Sequence, residues 1–292
     1  MHPSTVRCDA CDATMSVGLH SWHLVCGSCG LERSTLRTQI NELDSIDEEA
    51  REAALKPIRD ENFDTLLSWL NESVPKRRPS GVKRKLLDVG CAHGWFLEKA
   101  ALHYEVLGLE PDDVVARRTL QRNLPVRNGY FPQALEAREK FDVIVFNDVL
   151  EHIPDVKTVL KECAAHLQDG GVVVVNAPDS HGLFYRLSKL FVKTGRTGTF
   201  DRMWQVGLPS PHLYYFDSLS LGKIAAASGY GVIATRPLSS VVAKGLYERI
   251  RYAGDASTLR AVLMTLGVLM AIPILRLFPA DIRVWVLKKQ PA

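Results

Sequence analysis

The chain of 292 residues is 46% hydrophobic with a formal net charge of +3. That apolar content is enough for a full core, which excludes a disordered chain, and the length predicts one large domain or one domain with an appendage. So small a net charge gives the global field little hold on a polyanion, which argues against nucleic acid as the main partner. The concentrated basic run KRRPSGVKRK, Lys76 to Lys85, packs six basic residues into ten positions and reads first as a linker.

The amino-terminal stretch MHPSTVRCDACDATM has no apolar core of signal-peptide length, so the expectation is a cytoplasmic chain whose six cysteines stay reduced. Cys8-x2-Cys11 and Cys26-x2-Cys29, fourteen residues apart, have the two-knuckle spacing that brings four thiolates to one structural Zn2+. Gly27 and Gly30 supply backbone freedom at the second turn, and a segment this small needs the metal to fold. A pair of redox motifs is the alternative, but such motifs do not come as spaced pairs. With four thiolates filling the zinc sites, His20 and His23 are surface or packing residues, and Cys91 and Cys163 read as ordinary buried thiols. A zinc ribbon over 1–33 follows.

Leu36, Ile40, Leu43, Ile46, Ala50 and Ala53 then recur at helical spacing, Pro57 ends the pattern, and Phe63, Leu66, Leu67 and Leu70 resume it. Two helices are thus expected in a helical linker over 34–84.

From Lys85 a strand, glycine turn, amphipathic helix and second strand ending in Glu110 form the opening of a nucleotide-binding βαβ unit. Gly90 and Gly94 permit a sharp turn and close ligand approach, and Asp88 points into the same crevice. Glu110, twenty-two residues after Asp88, stands where an acid accepts ribose hydroxyls. A dinucleotide fingerprint beginning at Gly90 would need glycine-like residues at Ala92 and Trp95, and Trp95 argues against NAD. Asp88-x-Gly90-x-x-x-Gly94 followed by Glu110 instead resembles motif I and the following acid of class I S-adenosylmethionine (SAM) dependent methyltransferases. The resemblance implies that Gly90, Cys91, Ala92 and Gly94 wrap the methionine part.

A charged helix over Pro111–Arg122 follows, then a short strand near Val126, where methyltransferases often place a polar residue against the adenine; Asn128 is the candidate, and Tyr130 could stack. Phe141–Phe146 is a continuous apolar strand of the kind a parallel sheet buries on both faces. It ends in Asn147, Asp148, Val149, Leu150, Glu151 and His152, whose polar groups face the ligand crevice at the strand's carboxyl end. FDVIVFNDVLEHIPD closely resembles motif II of the ubiquinone-biosynthesis O-methyltransferases and their bacterial relatives. That resemblance runs from Lys85 to about Pro237 and implies Asn147 and Asp148 as further cofactor contacts.

A helix over Val156–Leu167 is expected to stop at Asp169-Gly170-Gly171, before a strand Val172–Val175 and a turn at Asn176-Ala177-Pro178. The long interval 180–217 is rich in aromatic residues, and the resemblance implies that such an insertion is a lid on the acceptor pocket, with Tyr185, Trp204, His212 and Tyr215 as candidate acceptor contacts. Helix Leu219–Ala227, strand Gly231–Thr235 and a terminal antiparallel strand Ile282–Leu287 complete a methyltransferase domain over 85–292. The resemblance implies an α/β, Rossmann-like, seven-stranded, mostly parallel sheet of order 3-2-1-4-5-7-6. Ala261–Leu275 holds fifteen uncharged residues, short of a membrane span, and reads as a buried helix or a peripheral membrane contact.

Methyl transfer from a sulfonium is an in-line displacement, so the protein mainly aligns an acceptor and removes its proton. His152 is the natural base, with bracing of its loop as the plainer role. Asp148, Glu151 and His152 share one face of a helical turn and could also hold a divalent metal. The leading expectation is O-methylation of a small-molecule, sugar, lipid-linked or aromatic acceptor. The alternatives are an RNA base methyltransferase with a zinc-ribbon recognition module and a nucleotide-sugar C-methyltransferase. A non-catalytic adaptor ranks last, because Asp88, Gly90, Gly94 and Glu110 are intact. The oligomeric state is not legible.

Overall fold

The computed structural model describes residues 6–40, 48–73, 82–253 and 257–290. The chain opens with three antiparallel strands, β1 (Met15–Val17), β2 (His23–Cys26) and β3 (Glu32–Ser34), followed by α1 (Glu48–Ser73). A regular alternation comes next: β4 (Arg84–Val89), α2 (Trp95–Ala100), β5 (Tyr104–Glu110), α3 (Asp113–Gln121), β6 (Val126–Asn128) and β7 (Phe141–Asn147). A 3-10 turn at Leu150–His152 leads to α4 (Val156–His166) and β8 (Leu167–Pro178). The interval 180–217 holds α5 (Leu183–Lys193), α6 (Gly198–Met203) and β9 (Tyr214–Tyr215). The chain closes with α7 (Ser218–Ala227), β10 (Tyr230–Leu238), α8 (Leu246–Ala253), α9 (Thr258–Leu275) and β11 (Ile282–Lys289).

Seven of these strands form one sheet in the order β6-β5-β4-β7-β8-β11-β10, parallel except for β11, which runs antiparallel to both neighbours. Counted by core strand this is the expected 3-2-1-4-5-7-6. The apolar run in β7 is explained by burial on both faces. Ile144 and Phe146 enter the core shared with α4 and α7, and Val143 and Val145 enter the one shared with α1 and α2. Parallel central strands read as unbroken hydrophobic stretches for this reason.

Several expectations change. The segment expected as two helices is, in its described part, the single helix α1, running through Pro57. Proline costs the helix a hydrogen bond. Ala54 and Ile58 are nevertheless buried before and after it, Phe63, Leu66, Leu67 and Leu70 bury one face against Trp95 and Phe96, and the ring packs where a Cβ on Gly245 would lie 2.4 Å from Pro57 Cγ. Packing along one axis outweighs the break. Leu43 and Ile46, and most of the basic run 76–85, lie outside the described residues.

Asp169-Gly170-Gly171 lies inside β8 instead of after a helix. Phe141 pairs with Leu167 and Val143 with Val172, so the double glycine, with Gly170 at φ +75°, forms an excursion that lets β8 rejoin the ladder. Asn176 to Pro178 continue as strand because β11 pairs with them, Val284 opposite Asn176 and Ile282 opposite Pro178.

The ribbon is built into the domain. β9 of the lid pairs antiparallel with β3, Glu32 opposite Tyr215, which makes a four-stranded sheet β1-β2-β3-β9. Met15, Leu24 and Leu31 share a continuous core with Leu213, Tyr214 and Phe216. The helix expected as buried or membrane-facing is α9, and it is exposed: Ala261 is its one buried residue.

Candidate active site

The carboxyl ends of adjacent strands β4, β5 and β7 define the crevice. After β4 the chain turns through Gly90 (φ +70°) and Gly94 (φ +72°), both in the left-handed region that glycine occupies without strain. Close packing adds to the requirement, since a Cβ would come within 2.7 Å of Val149 at Gly90 and within 2.4 Å of Leu124 at Gly94. The first contact shows that the loop after β7 rests on the glycine turn. Gly90 and Cys91 donate their N–H groups to Leu109 O at 2.8 and 2.9 Å, tying the turn to β5.

Glu110 organises this loop. Its Oε2 accepts from Ala92 N at 2.8 Å and its Oε1 from Asp112 N at 2.9 Å, while its own carbonyl oxygen accepts from Asn128 Nδ2 at 3.1 Å. Burial raises its pKa to about 7 against the pull of those backbone donors. Asp88 is pushed up to about 8, by burial first and then by the nearby Glu110, with Asn147 Nδ2 countering from 3.5 Å. Asn147 Oδ1 and Asn176 Oδ1 are buried without a hydrogen-bond partner among the described residues. Buried acceptors of this kind need a donor. Two carboxyl groups and two unmet amide oxygens around a glycine turn suit a ligand bringing an ammonium group and ribose hydroxyls, which is the chemistry of SAM.

Asp148 has φ +53°, its N–H donates to Asn176 O at 2.9 Å, and Arg59 of α1 lies 3.9 Å from its carboxylate. Four residues on, His152 is anchored by Nδ1 to Pro211 O at 2.9 Å. A carbonyl only accepts, so Nδ1 carries the proton in the neutral ring and the basic lone pair is on Nε2. Nε2 lies 4.0 Å from Glu151 Oε1, and the ring of His212 is 4.8 Å away, centroid to centroid. Glu151 is fully buried, and that burial, with the charge of Asp148, raises its pKa well above the carboxylate range. Glu151, His152 and His212 bring one oxygen and two nitrogens within 4.8 Å of one another, a donor set a divalent cation accepts, so the grouping expected at Asp148, Glu151 and His152 has His212 in place of Asp148.

The remaining aromatic residues of 180–217 lie deeper. Tyr185 and Trp204 are fully buried with Phe200 and Tyr215 in a closed cluster against Trp22, with Tyr185 stacked on Tyr215 at 3.9 Å. Tyr215 bridges the two groups, its ring 5.5 Å from that of His212. Below them is a polar joint that no motif signals: Glu32 accepts from Tyr185 Oη at 2.5 Å and from Lys189 Nζ at 2.6 Å, and pairs with His23 Nε2 at 2.8 Å. Burial pushes that carboxyl up, but the imidazole, ammonium and hydroxyl together bring it below its usual range. Ser34 Oγ donates to His212 O at 2.7 Å and Leu213 N to Glu151 O at 2.7 Å, so the ribbon, the lid and the turn after β7 are stitched together. Glu32, Ser34, Arg59 and the Pro211 carbonyl were invisible as site residues in the sequence because each acts on a partner far along the chain.

The sulfurs of Cys8, Cys11, Cys26 and Cys29 all lie within 4.8 Å of one another, the closest pairs 3.5 Å apart, and none forms a disulfide. Zn–S bonds of ~2.3 Å place tetrahedral sulfurs at about 3.8 Å, so the donor set fits a zinc ribbon.

The model of a methyltransferase domain family matches residues 55–235, and the chain belongs to that family. It is 30% identical over 131 residues to the ubiquinone biosynthesis O-methyltransferase of Stutzerimonas stutzeri, covering 42% of this chain and 54% of that one. The mitochondrial ubiquinone biosynthesis O-methyltransferase of Homo sapiens is 28% identical over 158 residues, covering 50% and 43%. The chain thus spans about half the length of the curated relatives it matches. The crystal structure of magnesium protoporphyrin IX methyltransferase from Synechocystis, bound to S-adenosylhomocysteine, shares the fold with TM-score 0.50 at 14% identity, over 85% of this chain and 90% of that one.

Proposed function

We propose that the chain transfers a methyl group from SAM to a hydroxyl oxygen of a small-molecule acceptor, sugar, lipid-linked or aromatic, with His152 as the base. The observation that carries the reading is the fixed tautomer of His152, whose Nδ1 is held by Pro211 O at 2.9 Å and whose Nε2 therefore bears the lone pair. The O-methyltransferases among the relatives support oxygen as the methylated atom.

Bound in the crevice, SAM supplies an electrophilic methyl group on a sulfonium whose departure as a neutral thioether needs no acid. The chain's own residues do the rest. Asp88, Gly90, Cys91, Ala92 and Gly94 hold the methionine end, Glu110 the ribose, Asn128 the adenine, and Asn147 and Asp148 flank the reacting end. His152 Nε2 takes the acceptor's hydroxyl proton as the new C–O bond forms, with Glu151 Oε1 at 4.0 Å from the resulting imidazolium. His212 and Tyr215 face the acceptor, while Tyr185 and Trp204 support the lid from behind. In this reading residues 1–33 are a zinc ribbon held by Cys8, Cys11, Cys26 and Cys29, 34–84 a helical connector, and 85–292 the catalytic domain with its lid at 180–217.

The test is His152→Gln, which retains a hydrogen-bonding side chain but cannot cycle a proton near neutral pH. Turnover on the true acceptor should fall about a hundredfold to ten-thousandfold, with SAM affinity by calorimetry unchanged. Near-normal turnover would make His152 a brace.

A further inference from the structure

We propose that α9 docks in the plane of an anionic lipid surface. The inward side of this helix, Ala261, Thr265, Val268, Ile272 and Leu275, is buried or half-buried. Its outward stripe is equally apolar: Leu259, Leu263, Leu266, Met270 and Ile274 are 70%, 61%, 52%, 74% and 60% exposed, and Leu277, just past the helix end, is 84% exposed. A helix on a water-facing surface has a polar outer stripe. Two turns of exposed leucine are ordinary; a stripe running the whole length, about 27 Å at 1.5 Å per residue, marks an interaction surface.

The charges around the stripe select the partner. From Ser257 to Ala280 the chain has no Asp or Glu, and its two charged residues, Arg260 and Arg276, are both exposed, one near each end of the helix. Their long aliphatic stems let the guanidinium groups reach lipid headgroups while the stripe enters the acyl boundary. Tyr252 and Phe278, 43% and 49% exposed, flank the helix as interfacial anchors. A two-fold pairing with a second copy would instead bring each Arg260 towards the partner's Arg276, with no acid on the stripe to meet either.

The helix lies on the surface and does not cross it. Leu275 and Ile282 are joined by six residues, which reach about 20 Å at full extension and cannot return across a bilayer core of ~30 Å. The link is also pinned, because Leu183 N donates to Pro279 O at 3.1 Å. That bond joins α9 to the first lid helix, which exposes Leu187, Leu190 and Phe191 beside Arg186 and Lys193. Between the two helices Leu183, Phe184, Ile272, Leu275 and Phe278 line a cavity of about 310 Å³. Docking by α9 therefore brings the lid to the lipid.

The experiment is sedimentation of the full chain with phosphatidylcholine vesicles, with and without phosphatidylglycerol. The protein should pellet with the anionic vesicles, and Leu263→Glu/Met270→Glu should stay in the supernatant with unchanged thermal unfolding and SAM affinity. Arg260→Gln and Arg276→Gln should each weaken vesicle binding about fivefold. Wild-type protein that stays in the supernatant with phosphatidylglycerol present overturns the proposal. So does a lipid-free dimer that the double glutamate variant turns into monomer, which would make the occupant a second copy. If the glutamate variant does not fold, the arginine variants decide, since vesicle binding indifferent to both arginines and to phosphatidylglycerol sinks the anionic surface. Loss of vesicle binding with SAM binding retained leaves the methyl-transfer reading intact.

Discussion

The two halves of the crevice are built in opposite ways. On the side proposed for the cofactor, Asp88, the Gly90–Gly94 turn and Glu110 fall within twenty-three consecutive residues, and their hydrogen bonds join neighbours in one βαβ unit. On the side proposed for the acceptor, Ser34 bonds 178 positions away to His212, Glu32 bonds 153 positions away to Tyr185, and Tyr214 bonds 205 positions back to Asp9. One half is a local motif. The other is an assembly of ribbon and lid, so damage to the ribbon should be felt by the acceptor before it is felt by the cofactor.

Removing the zinc proposed for Cys8, Cys11, Cys26 and Cys29 is the strongest way to break that comparison. Structural zinc contributes on the order of 10 kcal/mol to small ribbons, so Cys26→Ser or chelation should release one zinc per chain and loosen β3 from β9. Limited proteolysis should then cut the lid and acceptor turnover should collapse, while calorimetry still finds SAM binding. Parallel loss of SAM affinity would show that the halves are one unit. Next in size, Glu32→Gln breaks the buried joint to Lys189 and should cost about 3 kcal/mol in denaturant unfolding. It should raise KM for the acceptor far more than Kd for SAM.

On the other half, Glu110→Ala removes a buried carboxyl acceptor and should weaken SAM binding about 10- to 100-fold by calorimetry, leaving the ribbon's zinc content untouched. The smallest effect concerns pH. Asp88 has its pKa raised to about 8 in the fold, so as pH climbs from the ordinary carboxylate range towards that value the unfolded chain loses its proton while the folded one keeps it. Stability from this group is full at low pH and declines towards pH 8. Asp88→Asn should flatten that part of the fall in Tm of the ligand-free protein; Glu110 and Glu151, shifted in the same direction, keep the remainder.

What the sequence disclosed follows the same division. The strand order, the glycine turn, the acid at Glu110 and the four-cysteine cluster were legible because spacing along the chain determines each. Pro57 was misread as a break because the packing that carries α1 through it comes from Gly245 and Trp95, remote in sequence. Asp169-Gly170-Gly171 signals a helix stop locally, yet pairing with β7 turns it into an excursion within a strand. The aromatic richness of 180–217 predicts packed rings, and the structure has them. Which rings face inward is set by the ribbon, so Tyr185 and Trp204 are in its packing while His212 joins His152.

The pairing of β3 with β9 also sets a timetable for synthesis. Glu32 meets Tyr215 across that ladder, so the ribbon's outer strand leaves the ribosome some 180 residues before its neighbour. At roughly 5–20 residues per second, that is an interval of about 10–40 s in which β3 has an open edge. A metal bound early would hold the knuckles in shape during that wait, and the lid would close on a ribbon already formed.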